Sequence, residues 1–247
     1  MSFAANEMVE QWDGFPVRTV HARNIAPGQL LYKGTLAMMV DGIAYRASAF
    51  NTLPMSGVIL TVPGADANGG VLAYAVQANV RYIQITGGAN RALGVSVAYT
   101  ASTVDVTVQL ATDAGSASTS TAQAVVNAIT GHAVAGKFIK AGYTGTGLGI
   151  TAALATLTSL KHVCVLGIAE DTYDNSTGLV SLFVNMRFTK GIVTLAGLSG
   201  DAPTAAMIDS QVAIVDNITV KATVNPLDLC VRLADVETDG QLRCSIL

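Results

Sequence analysis

Polar and apolar residues alternate over Val80–Thr86, Leu93–Tyr99 and Val104–Leu110, the period-two signature of half-buried strands. The short spacer Thr100–Thr103 makes the last two an antiparallel hairpin. A different period follows. Ala122, Val125, Val126 and Ile129 recur at helical spacing on one face. Ser120 and Gln123 have the spacing of a capping box, and Gly131 can close the helix with a left-handed C-cap. Ala135–Ala141 reads as a further strand, and the glycine-rich Gly142–Gly149 as a flexible connector. Residues 57–160 therefore read as one α/β module, a helix packed on a small sheet.

The flanks have another texture. Val17–His21 alternates and predicts a short strand, and Pro27-Gly28 predicts a turn. Leu30–Val40 is apolar and strand-like, Asp41-Gly42 is a strong two-residue hairpin signal, and Ile43–Arg46 returns. Leu31–Ser48 thus reads as one hairpin. His162–Ala169 and Leu179–Phe188 are two apolar strands around the nine-residue polar loop Glu170–Gly178. The tail Leu229–Leu247 reads as a hairpin turning at Asp239-Gly240, with Cys244 opposite Asp235. Met1–Pro16 has no clear period and reads as an arm that is poorly ordered alone. The divisions are 1–28 as arm and first strand, 29–56 plus 161–247 as a discontinuous base, and 57–160 as the inserted domain. The fold class is mainly β with an α+β insert: a β-barrel- or β-sandwich-like base plus a small sheet-and-helix domain.

Composition changes the picture in one respect. The chain is 51% hydrophobic and 13% charged, with mean hydropathy +0.47, where an average soluble domain carries about 25% charge. A membrane span is not expected: Leu148–Leu160, the best apolar stretch, is short and broken by Thr. Met1–Phe15 is acidic and lacks the apolar core of a signal peptide. Burial of surface against other subunits is the better reason for so few charges. The net charge of −3 and the lack of a basic cluster argue against nucleic-acid binding.

Candidate chemistry is sparse. The loop Glu170–Asn175 carries oxygens that calcium favours, but lacks the alternating Asp pattern of an EF-hand, so a solvated turn is expected. Gly145–Gly149 is neither a dinucleotide fingerprint nor a Walker motif. Gly197–Gly200 lacks the spacing of a nucleophile elbow. His21, His132 and His162 are scattered, and Cys164, Cys230 and Cys244 have no metal or disulfide spacing. No catalytic residue, metal or cofactor is assigned. The sequons at Asn175 and Asn217 read as incidental. Trp12, the single tryptophan, sits in the arm and is a typical interface anchor. Trp12, Phe15 and Val17 are the candidate partner-contact residues.

Tyr32-Lys33-Gly34, Asp41-Gly42, Leu166-Gly167-Ile168-Ala169-Glu170, Asp174-Asn175 and Gly178 occur in that order. This order resembles the core of tailed-phage head decoration, or capsid cement, proteins. The module between the two halves departs from that pattern, and is itself similar to Ala/Thr-rich insert domains of phage capsid and tail-sheath proteins. The resemblance implies a non-enzymatic virion protein on the capsid exterior, assembled in the host cytoplasm. Its partners would be the major capsid protein and further copies of itself, a trimer being favoured, with no nucleic acid and no membrane. The insert would project outward. Another phage structural component (tail tube, sheath or head fibre) and a virion-displayed carbohydrate- or surface-binding module are the alternatives.

Overall fold

The computed structural model describes residues 10–12, 15–52, 55–178 and 182–246, with side chains from residue 24 onward except at 182–185. Contacts divide the chain into two compact units, Met1–Gly57 with Cys164–Leu247, and Val58–Val163. In chain order the strands before the second unit are β1 (Glu10–Trp12), β2 (Phe15–Ile25), β3 (Gln29–Leu31), β4 (Leu36–Val40) and β5 (Ile43–Arg46). The second unit contains β6 (Leu60–Val62), β7 (Val71–Ala75), β8 (Val80–Ile85), β9 (Gly94–Tyr99), β10 (Val104–Gln109), α1 (Ala122–Gly131), β11 (Ile139–Tyr143) and β12 (Leu154–Ser159). The chain then returns through β13 (Val163–Ala169), β14 (Tyr173–Asn175), β15 (Leu182–Lys190), β16 (Ile192–Gly197), β17 (Gln211–Ile214), β18 (Thr219–Lys221), β19 (Cys230–Val236) and β20 (Leu242–Ser245). The fold is mainly β, with α1 its one α-helix among the described residues.

In the first unit a sheet runs β1-β2-β15-β13-β4-β5. Because Asn24 and Ile25 of β2 also pair with Ile43 and Ala44 of β5, the path β2-β15-β13-β4-β5 returns to its start. Inside it pack Ile25, Leu31, Ala37, Ala44, Leu166, Ala169, Tyr173, Met186 and Phe188. The β4–β5 hairpin turns at Asp41-Gly42 with φ of 48° and 85°, the paired positive φ of a type I′ turn. Part of the segment expected as an arm is strand: β1 covers Glu10–Trp12, and β2 begins at Phe15, where Val17 was expected, and pairs along β15 up to Ile25. The rest of the expected arm, residues 1–9 and 13–14, lies outside the described residues.

Strands β16-β18-β17-β19-β20 form a closed barrel, filled by Leu195, Val212, Ile214, Val220, Leu233, Leu242 and Cys244. The register of its last hairpin differs from the two-residue turn expected. Glu237 N–H donates to Gln241 O and Gly240 N–H to Glu237 O, a three-residue loop with Gly240 at φ 83°. With a bulge after Leu233, this sets Asp235 opposite Arg243 and Cys244 opposite Leu233. Cys230 faces Ala213, and none of the three cysteines is in a disulfide.

The second unit has two sheets rather than one, β12-β8-β10-β9 and β11-β7-β6. The four apolar residues of α1 anticipated from periodicity, Ala122, Val125, Val126 and Ile129, are all buried. Its cap is Thr121, not Ser120: Thr121 Oγ1 accepts from Ala124 N–H at 3.2 Å, while Ser120 Oγ accepts from Ala111 N–H at 2.7 Å. Gly131 does not take the left-handed form, and His132 is the C-cap. The stretch after the helix is a 3₁₀ turn, Ala135–Lys137, followed by β11, where a single strand was expected. The glycine-rich connector is built into the unit: Gly147 O and Gly149 O accept the first helical N–H groups, from Gln123 and Ala122.

A buried polar chain crosses this core. Tyr82 Oη donates to Gln84 Oε1, and Gln84 Nε2 donates to Thr151 Oγ1 at 3.2 Å and Ala152 O at 2.8 Å. Tyr82 and Gln84 are wholly buried, and burial pushes the Tyr82 phenol far above its ordinary range. Tyr82→Phe strips Gln84 Oε1 of its donor and is expected to cost about 1–3 kcal/mol, read as a lower midpoint in urea with an unchanged slope.

Candidate functional site

The motif residues that lie far apart in sequence meet in the first unit. Gly34 N–H donates to Ala169 O at 2.9 Å, and Ala169 N–H donates to Thr35 O at 3.0 Å. Lys33 N–H donates to Thr172 Oγ1 at 3.2 Å. β14 then pairs with β3, Tyr173 against Leu31 and Asn175 against Gln29. Asn175 is buried, its Nδ2 donates to Ile25 O at 3.1 Å, and its main-chain carbonyl accepts from Gly28 N–H at 2.9 Å. The Tyr32-Lys33-Gly34 turn and the Ala169–Asn175 segment are thus one hydrogen-bonded structure.

The loop 170–178, expected as a solvated turn, is held by specific partners. Glu170 Oε1 accepts from Thr189 Oγ1 at 2.8 Å, and Glu170 Oε2 lies 3.4 Å from Arg187 Nε. Tyr173 Oη accepts from Arg187 N–H at 2.8 Å, and its ring packs at 5.9 Å from that of Phe188. Burial pushes the Tyr173 phenol up, against the opposing pull of the Arg187 backbone. Hydrogen bonds from the Ser176 hydroxyl and N–H hold the Asp174 carboxyl below the usual range. The buried, engaged amide of Asn175 is inaccessible to a sugar-transferring enzyme in the folded state. Among the described residues, no group of three or more His, Cys, Asp or Glu side chains is arranged to hold a metal ion.

Outward from this core lie exposed apolar side chains that the sequence did not reveal. Leu36 N–H donates to Asn217 O at 2.6 Å, which ties the 216–218 turn of the barrel to the start of β4, just after the 32–35 turn. Tyr32 is 52% exposed and Ile218 51% exposed. Lys33, Asp171 and Asp174 are exposed as well. An aromatic and a branched aliphatic side chain, both open to water, are of the kind that recognition surfaces use. Sequence patterning gave no signal for Ile218, which sits in an otherwise polar turn and would be assigned to neither strand nor core.

Of the residues singled out beforehand, Trp12 and Phe15 are register partners in the β1–β2 hairpin, and Val17 faces Glu10. Their side chains lie outside the described residues. No helix among the described residues is long and apolar enough to cross a membrane. No protein-family model, curated protein or solved structure matches the chain.

Proposed function

We propose that this protein is a structural virion component that binds the outer surface of a phage capsid and stabilises it. The observation that carries the reading is the meeting of Tyr32-Lys33-Gly34 with Ala169-Glu170 and Asp174-Asn175 in one hydrogen-bonded unit. These are the motifs of the decoration-protein resemblance, and they cooperate physically across an interruption of more than a hundred residues. The charge-poor composition supports the same reading. A protein copied many times over a shell gains from many modest apolar contacts, because avidity multiplies them.

In this proposal the partner is the major capsid protein, the first unit is the docking base, and the base associates with its own copies, as a trimer in the favoured form. The Tyr32–Ile218 surface meets the shell, and Trp12 with the segment before it adds a second contact. Removing residues 1–28 is a poor test of that segment, because it deletes β2 from the sheet. Point substitution avoids this.

Purified protein mixed with bare shells of its own virion should co-sediment saturably. Tyr32→Ser combined with Ile218→Ser should weaken binding by about tenfold or more, roughly 1.4 kcal/mol, with an unchanged circular dichroism spectrum. Trp12→Ala should weaken it separately. Binding that never saturates, or that ignores all three substitutions, contradicts the proposal.

A further inference from the structure

The four-stranded sheet of the second unit ends at β9, whose outer edge pairs with no other strand among the described residues, and we infer that two copies of the chain pair there, antiparallel and in register about Ser96. The strand runs six residues without irregularity against β10. Ala92–Thr103 carries no charge and no proline, the devices that proteins use to blunt an open edge. The other edges of the unit are defended. β12 is bulged between Leu154 and Thr158, β11 carries Lys140, and β6 is three residues long. Val95 and Val97 pack against the core from one side but are only half buried, and Tyr99 beside Phe138 is 65% exposed.

The backbone groups that a second strand needs can be identified. Thr100 N–H donates to Thr103 O, whereas Val104 N–H turns away to Asn79 O. Alternation along an antiparallel pair then sends the N–H and C=O of Gly94, Ser96 and Ala98 to β10, and those of Val95, Val97 and Tyr99 to the open edge.

The sequence of the strand selects the occupant. Leu93-Gly94-Val95-Ser96-Val97-Ala98-Tyr99 is nearly symmetric about Ser96. Antiparallel pairing about that residue sets Val95 against Val97 of the second copy, Gly94 against its Ala98, and Leu93 against its Tyr99. Apolar meets apolar, small meets small, and no charge is trapped. Val95 and Val97 exchange backbone hydrogen bonds with Val97 and Val95 of the other strand, and their half-covered side chains gain the missing cover. The contact is isologous, so it closes at two copies. It is smaller than the roughly 1,200 Å² of stable free complexes, so it is a weak link that matters when copies are already held side by side. It belongs to the second unit alone and stands whether or not the base meets a shell.

Register-specific cross-linking of the full chain tests this. Around a twofold at Ser96 the two Ser96 Cα atoms sit in a non-hydrogen-bonded pair about 4.5 Å apart, within disulfide range. Ser96→Cys should therefore give a covalent homodimer under mild oxidation, reversed by reductant. Its rate should exceed that of Ala98→Cys about tenfold or more, since position 98 faces Gly94 of the second copy rather than its own counterpart. The wild-type chain controls for Cys164, Cys230 and Cys244. Adding Val97→Lys to Ser96→Cys should abolish the cross-link while the circular dichroism spectrum stays that of the folded protein. Two outcomes overturn the inference. One is equal rates at the two positions. The other is a Ser96→Cys variant that forms no dimer although a soluble disulfide reagent titrates its introduced thiol freely.

Discussion

Gly167→Ala should lower the stability of the first unit by about 3 kcal/mol or more, through backbone strain and overlap together. Gly167 lies within β13 at φ 138°, a conformation that residues with a Cβ rarely adopt. An added Cβ would stand 2.6 Å from Thr189 O and 3.1 Å from Thr189 C, backbone atoms that cannot swing aside. The strand–strand approach of β13 and β15 depends on this missing side chain. In thermal unfolding followed by circular dichroism, a loss of that size is a fall of about 6–12 °C in midpoint. Gly178→Ala is the matched control. Gly178 also has positive φ, at 76°, but nothing lies within 4 Å of its added Cβ, so the cost there should be about 1 kcal/mol. Equal effects at the two glycines would mean that the β13–β15 approach is not close.

The second large effect is expected at Asn175. Asn175→Asp replaces a buried amide donor with a carboxylate facing Ile25 O, 1% exposed and beside a second strand. Burial raises the folded pKa of the new acid above its unfolded value of about 3.9. With a raised folded pKa, the variant is most nearly native in stability below that unfolded value, where the protonated acid can still donate to Ile25 O. The deficit then grows as pH rises through the folded pKa. At pH 7 the expected loss is about 2–4 kcal/mol, the cost of an unpaired buried charge. Asn175→Ala removes the hydrogen bond without adding a charge and should lose about 1–2 kcal/mol at every pH. Urea melts of both variants between pH 4 and pH 7 separate the two patterns. A pH-independent Asn175→Asp deficit would place residue 175 at the surface.

Both sites bear on what can be read from the chain before its fold is known. The α1 face was legible because four apolar residues at helical spacing have one consistent burial. The β4–β5 turn was legible because Asp-Gly accepts two positive φ values in succession. β14 was not: Tyr173 and Asn175 look like loop residues until β3 lies across from them and gives both an interior to face. The helix cap was misplaced by one residue because Ser120 and Thr121 are equivalent in isolation. Only the distant Ala111 N–H draws Ser120 away. The tail register slipped because Asp239-Gly240 serves a three-residue loop as readily as a two-residue one. The connector Gly142–Gly149 read as flexible because its task, accepting the N–H groups of α1, is invisible without the helix beside it.

The candidate site divides in the same way. The order of Tyr32-Lys33-Gly34 and Gly167–Asn175 was readable in the chain, and the base brings them into contact. The exposed pair Tyr32 and Ile218 was not, because exposure depends on which turns the barrel sets side by side. Trp12, Phe15 and Val17 were chosen on residue type. The backbone pairs Trp12 with Phe15 in a hairpin, and substitution will decide whether that hairpin binds anything.

Imaging bare, expanded shells of the same virion after incubation with the purified protein tests the central claim most directly. The account predicts density at one fixed position of the capsid lattice, filled to saturation, with the first unit against the shell. Shells that stay bare at saturating protein, or protein that instead stacks into helical tubes, would contradict it.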